Sequence, residues 1–319
     1  MKRLIFLLGI LFFLAVASFS WIFVQVQPVN SDNTSKRFTI NDGENASQVG
    51  VDLEKQGLIK SSIVFRIYTQ VTQSAKKIRA GSYELSSNLS VPRMVNKLLA
   101  GPTEVWITIP EGYRREEIAA KAVTALELSG DTSNSFMQEF LNITIGKEGY
   151  LFPDTYLVPK DVTPTIFARM METNFSKRVD FSYSNNDIIL ASIIERETKT
   201  DEERPVVAGI LLKRITAGWP LQADAAIQYV TSGCKILDTT CNWWKSVTAD
   251  DLNVDSPFNT YLNTGLPPSP ISNPGLTSIK AATNPKDSSY WYYIHDKDGQ
   301  IHYAETIEEQ NANIAKYLQ

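Results

Sequence analysis

Asp187-Ile-Ile-Leu-Ala-Ser-Ile-Ile-Glu-Arg-Glu-Thr198 puts apolar residues on nearly every face of a helix. Such a helix has to be buried, so a sizeable core must surround it. Asn186 or Asp187 is the expected N-cap. Glu195 falls near the C-terminal end, one turn after Ala191 and Ser192 and two turns after Ile188. The small residues leave room for a ligand, and Ile188 offers an apolar wall. Burial disfavours the charged form of a carboxyl, and the negative end of a helix dipole works the same way. Glu195 is therefore a candidate proton donor, supported by Ser192. Glu197 points to the face of Leu190 and Ile193 and is a second candidate. The plainer alternative is that both are solvated or salt-bridged carboxylates at a helix end.

Downstream of this helix, Thr200 or Asp201 is expected to cap a helix running to Ala217. An Asp224-capped helix should follow Leu221-Gln-Ala-Asp and end at Gly233. Ser256-Pro-Phe-Asn-Thr-Tyr and Gly265-Leu-Pro-Pro-Ser-Pro-Ile-Ser-Asn-Pro-Gly275 form a long Pro/Gly/Asn loop. Ordered loops of that length are often functional, and their amides and aromatic rings suit a polyhydroxyl ligand; a rigid connector fits the composition equally. Tyr290 to His295 and Ile301 to Tyr303 read as a hairpin that makes His295 and His302 neighbours.

Upstream, strand Arg37–Ile40, helices 46–56 and 62–71, strand Gly81–Leu85 and a Ser90-capped helix form one small α/β unit. Phe38-x-Ile-x-Asp-Gly43 and Ile107-x-Ile-x-Glu-Gly112 echo each other as strand, acidic-Gly turn and helix. Helix is expected from Glu111 to Leu128, a turn at Ser129–Ser133, and a short helix over Ser135–Leu141. Gly149-Tyr-Leu-Phe-Pro-Asp-Thr-Tyr156 reads as an aromatic loop. The fold class is α+β. The expected division is a tip and anchor at 1–26, a linker at 27–36, a small domain at 37–101 and a larger mixed α/β domain at 102–319.

Lys2-Arg3 precede 21 uncharged residues from Leu4 to Val24, and a membrane-spanning helix needs about 20. The basic pair predicts a cytoplasmic N-terminus with everything after Gln25 outside. Ala15-Val-Ala17 has the form of a signal-peptide cleavage site, but apolarity continues to Val24, which favours an uncleaved anchor. Outside the cytoplasm, Cys234 and Cys241 are free to form a disulfide within a loop from Gly233 to Asn242 or to stay as two thiols.

With 31 Lys+Arg against 35 Asp+Glu and a net charge of -4, long-range attraction to nucleic acid is disfavoured. Two histidines and two cysteines exclude a four-ligand Cys/His zinc site unless carboxylates fill in, so no metal and no cofactor is expected. A Ser-His-Asp device is disfavoured because both histidines lie in one short segment. Carboxylates are the expected acid and base.

The order of Arg79-Ala-Gly-Ser-Tyr, Ile109-Pro-Glu-Gly, Gly149-Tyr-Leu-Phe-Pro-Asp-Thr-Tyr, Ala191-Ser-Ile-Ile-Glu-Arg-Glu-Thr, Leu221-Gln-Ala-Asp, Asn259-Thr-Tyr and the 265–275 segment resembles the endolytic murein transglycosylase (YceG-like) family. The resemblance covers nearly the whole chain after the anchor. It implies a membrane-anchored lytic transglycosylase with a LysM-like domain, acting on peptidoglycan glycan strands, with peptidoglycan synthases as possible neighbours. Glu195 matches the catalytic glutamate, expected to protonate the leaving oxygen and then take the proton of the muramyl C6 hydroxyl as a 1,6-anhydro ring closes. Gln222, Asp224, Asn259 and Tyr261 are assigned to sugar positioning. Phe258, Ala226 and Gln310 depart from the family's common Tyr, Thr and His. A non-catalytic glycan-binding anchor and a hydrolytic muramidase are the alternatives.

Overall fold

A computed structural model describes residues 2–234 and 241–318. Of the loop expected from Gly233 to Asn242, residues 235–240 lie outside the described residues. The chain divides into two compact units, one of residues 1–106 with 157–161, the other of residues 107–156 with 162–319. The first unit runs past residue 101 to Trp106 and takes in residues 157–161 from farther along the chain.

The first unit begins with α1 (Lys2–Val26), then β1 (Lys36–Ile40), α2 (Ala46–Lys55), α3 (Ser62–Val71), β2 (Gly81–Leu85), α4 (Val91–Leu99) and β3 (Glu104–Thr108). Leu8–Val26 of α1 has a mean hydropathy of 2.1 and is unburied, so it is long and apolar enough to cross a membrane, as a signal sequence also would be. β1 and β2 pair antiparallel with Phe38 opposite Tyr83. Asn45 and Ser61 cap α2 and α3 by accepting backbone N–H groups, which satisfies donors a helix start leaves open. Phe38, Leu53, Phe65, Tyr83, Met94 and Leu98 close the core.

The second unit contains α5 (Arg115–Ala125), α6 (Gly130–Ile143), α7 (Pro164–Arg178), α8 (Asn185–Glu197), α9 (Glu203–Thr216), α10 (Asp224–Thr231), α11 (Leu276–Thr283), the hairpin of two strands numbered β5 (Tyr292–His295) and β6 (Ile301–Ala304), and α12 (Ile307–Tyr317), while β4 (Thr155–Pro159) starts in the second unit and ends in residues of the first. The four-stranded sheet has the order β1-β2-β3-β4.

Several boundaries differ from the sequence reading. α5 starts at Arg115, not Glu111, because Gly112 takes φ +77° and turns the chain before the helix begins. The Ser129–Ser133 turn is instead the opening of α6, with Ser129 at its N-cap. Its polar residues serve a helix start, which by composition looks like a turn. Ser184, two or three residues earlier than expected, caps α8 in a reciprocal box with Asp187. α9 starts at Glu203, whose carboxylate accepts the backbone N–H groups of Lys199 and Thr200. The Gly149 loop runs into β4, and α11 rises directly from the 265–275 loop.

Candidate active site

α8 is the centre of the second unit. Ile188 to Ile194 are all buried, with Val207, Leu211, Ile271 and Ile279 among the residues around them. Successive helical residues are rotated by about 100°, so Glu195 and Glu197 leave the last turn on opposite sides.

The Glu195 side chain is only 6% exposed. Its Oε1 accepts from Arg204 Nη2 at 3.0 Å and its Oε2 from the Gly275 N–H at 2.9 Å. Arg204, on α9, also donates to Asp201 Oδ1 at 2.6 Å and to Ser278 Oγ at 2.8 Å. Glu111 Oε2 stands 4.0 Å from the same Nη2. Burial pushes the Glu111 carboxyl up, the charge on Glu195 adds to this, and Arg204 opposes it.

Two glycines make this convergence possible. A Cβ on Gly275 would collide with the carboxyl of Glu111. A Cβ on Gly112 would press within 3.2 Å of Arg196 and 3.5 Å of the Glu195 stem. The Pro-Glu-Gly turn therefore packs against Arg196 and the stem of Glu195.

Ser192 and Asn273 fix the loop that delivers Gly275. Ser192 is fully buried; its hydroxyl donates to Ile189 O and accepts the Ile271 N–H at 3.0 Å. The Asn273 side-chain oxygen accepts the N–H groups of Gly149 and Leu151, both at 2.9 Å. Its amide nitrogen donates to Glu148 Oε1 at 2.6 Å. Its backbone exchanges hydrogen bonds with Gly112 and Tyr113. Burial, with the nearby Glu116 charge adding, pushes Glu148 up to about 8.

Glu197 enters a different environment. Tyr293 donates to its Oε2 at 3.1 Å. Burial pushes this carboxyl up to about 7, the Tyr293 hydrogen bond opposes that, and Asp224 adds to it. Asp224 in turn accepts from the Tyr261 hydroxyl at 2.5 Å. Gln222 is exposed at φ +55°, a left-handed conformation uncommon for a residue with a side chain. Asn259 is fully buried, and both its amide hydrogens go to the Leu252 and Val254 carbonyls while its oxygen accepts the Tyr261 N–H. All its polar atoms are engaged in shaping its own loop.

Thus Glu195 and Ser192 share one neighbourhood, and Glu197, Asp224 and Tyr261 share another. Glu111, Arg204, Asn273 and Gly275 were not singled out as site residues from the sequence. Their signals were present as Pro-Glu-Gly and Asn-Pro-Gly, but spacing alone does not bring residues 111, 204 and 275 together. A cleft of about 620 Å³ lies against Asp201, lined by Phe181, Pro205, Thr277 and Lys280. Cys234 and Cys241 are bridged, with Cα atoms 5.7 Å apart.

The model of the YceG-like family matches residues 38–316. The chain belongs to that family. Among YceG-like relatives, an endolytic murein transglycosylase of Streptococcus pneumoniae is 28% identical, over 98% of this chain and 65% of its own length. The chain thus spans just under two thirds of that relative. An endolytic murein transglycosylase of Bacillus subtilis is 29% identical, over 92% of this chain and 88% of its own. The crystal structure of a yceG-like protein from Listeria monocytogenes superposes with a TM-score of 0.56 at 26% identity, covering 87% of this chain and 98% of that one.

Proposed function

We propose that this YceG-like chain is a membrane-anchored endolytic lytic transglycosylase. It cleaves the β-1,4 bond from N-acetylmuramic acid to N-acetylglucosamine in glycan strands and leaves 1,6-anhydro ends. The observation that carries this is the buried Glu195, held by Arg204 and the Gly275 N–H at the end of a fully packed helix. Relatives named endolytic murein transglycosylases support the choice of reaction.

One proton must reach the leaving oxygen and another must leave the C6 hydroxyl. Glycosidases that use water or form a glycosyl-enzyme employ two carboxyl groups, one as acid and one as base or nucleophile. Here the nucleophile belongs to the substrate. Ring closure is intramolecular, so the advantage of a tethered nucleophile is already built into the sugar. The protein has to position the sugar and handle protons, and Glu195 is the centre of that proton exchange. Gln222, Asp224 and Tyr261 position sugars by hydrogen bonding, and Asn259 holds the loop that carries Tyr261. The β1-α2-α3-β2 arrangement of the first unit serves as the LysM-like glycan-binding module. Leu8–Val26 is the anchor that keeps the enzyme at the membrane, where strands are made.

Mass spectrometry of digested glycan tests this. Anhydro-muramyl ends are expected. Reducing ends would identify a hydrolase, and intact strands a binding protein.

A further inference from the structure

The resting arrangement leaves Glu195 poorly set to give up a proton. Both of its oxygens are acceptors, one from a guanidinium and one from a backbone N–H. An ionised carboxylate is acceptor-only. A second carboxyl is built into the same place. Glu111 lies against Gly275 on the turn that packs over the Glu195 stem, and its side chain is 50% exposed. Arg204 gives its N–H groups to Glu195, Asp201 and Ser278 and stands 4.0 Å from Glu111, beyond hydrogen-bond reach. Glu111 is thus close enough to feel the Glu195 charge and open enough to touch a ligand.

The other charged groups that bear on it are Asp201, before α9, which pushes its carboxyl up, and Arg204, which pushes it down. Arg196, the other cation on this face, stacks 3.9 Å above Trp244. Two carboxyls in unlike surroundings, one closed in by donors and one half open to a ligand, can divide acid and base work between them.

We propose that Glu111 is the second catalytic carboxyl of this site, delivering the proton to the leaving sugar oxygen while Glu195 receives the proton of the C6 hydroxyl. The proposal rests on the transglycosylase function. The leaving oxygen and the C6 oxygen lie on the same face of the ring, so the C1–O4 bond breaks first to an oxocarbenium-like C1, and the C6 oxygen then bonds C1. The leaving oxygen takes the Glu111 proton, and the C6 hydroxyl proton goes to Glu195. The products leave with no net gain or loss of protons. Solvent exchange at the half-exposed Glu111 and at Glu195 then restores the starting state.

The test compares Glu111→Gln and Glu195→Gln on two substrates. One is native glycan. The other is a muramyl glycoside with a 4-nitrophenolate leaving group, which departs without a proton. On native glycan both variants are expected to lose about 10²–10⁴-fold in turnover. The activated substrate should restore most of the rate to Glu111→Gln and little to Glu195→Gln. Carbon-13 carboxyl titration of the full chain gives a readout that needs no turnover: the Glu111 midpoint should fall in Glu195→Gln. Native turnover by Glu111→Gln at the wild-type rate, failure of the activated substrate to rescue it, or an unmoved midpoint would overturn the role of Glu111. Absence of anhydro product from the wild type would instead overturn the reaction itself, and the role with it.

Discussion

Glu195 and Glu197 are separated by one residue yet meet different chemistry. Glu195→Gln keeps an oxygen for Arg204 but removes the charge that pairs with it. A hydrogen bond to a charged group contributes about 1.5–3 kcal/mol, so chemical denaturation should show a loss of that order, softened by Asp201. Glu197→Gln is the matched control and should retain substantial activity, because Glu197 contacts Tyr293 on the other side of α8. pH dependence follows from the buried carboxyls. Burial holds Glu197 up to about 7 and Glu148 up to about 8 against an ordinary value of 4.5. Between those values the folded state binds more protons than the unfolded state, so stability falls as pH rises. The melting temperature should decline from about pH 5 to pH 8. Glu148→Gln should flatten the upper part of that decline. A melting temperature that rises over this window would show that these carboxyls are ionised in the fold.

α8 is set by its cap and its packing together. Ser184→Ala removes the acceptor for the Asp187 N–H and should cost about 1 kcal/mol, read by thermal or denaturant unfolding. Gly275→Ala drives a methyl into the Glu111 carboxyl. The loop has to shift, the N–H moves off Glu195, and turnover should fall sharply while far-UV circular dichroism stays unchanged. Wild-type turnover in this variant would mean that the loop has slack. The largely apolar run Ile188–Ile194 made the buried helix legible in the sequence, and the Ser90 signal located the start of α4. The starts of α5, α6 and α9 were less legible, because their acidic and hydroxyl residues cap helices with the same chemistry that makes turns. Glu195 was visible because it is a carboxyl directly after a stretch too apolar to be anything but buried. Arg204, Glu111 and Gly275 were not, because only tertiary folding brings α9, the Pro-Glu-Gly turn and the Asn-Pro-Gly loop to one carboxylate.

Across the whole chain, one unit presents a small antiparallel pair with helices and the other holds the candidate chemistry, with an apolar helix at the N-terminus. If Leu8–Val26 is an anchor, the full-length chain should pellet with membranes and resist carbonate extraction. A mature N-terminus at Ser18 would identify a cleaved signal instead. The central claim is that Glu195 manages protons in a non-hydrolytic cleavage of glycan. Its most direct test is mass spectrometry of purified glycan strands incubated with the wild type and with Glu195→Gln at equal concentration. The account predicts internal cleavage with 1,6-anhydro-muramyl ends from the wild type. It predicts at least about a hundredfold fewer such ends from a folded Glu195→Gln. Equal yields of anhydro ends from both proteins would contradict it.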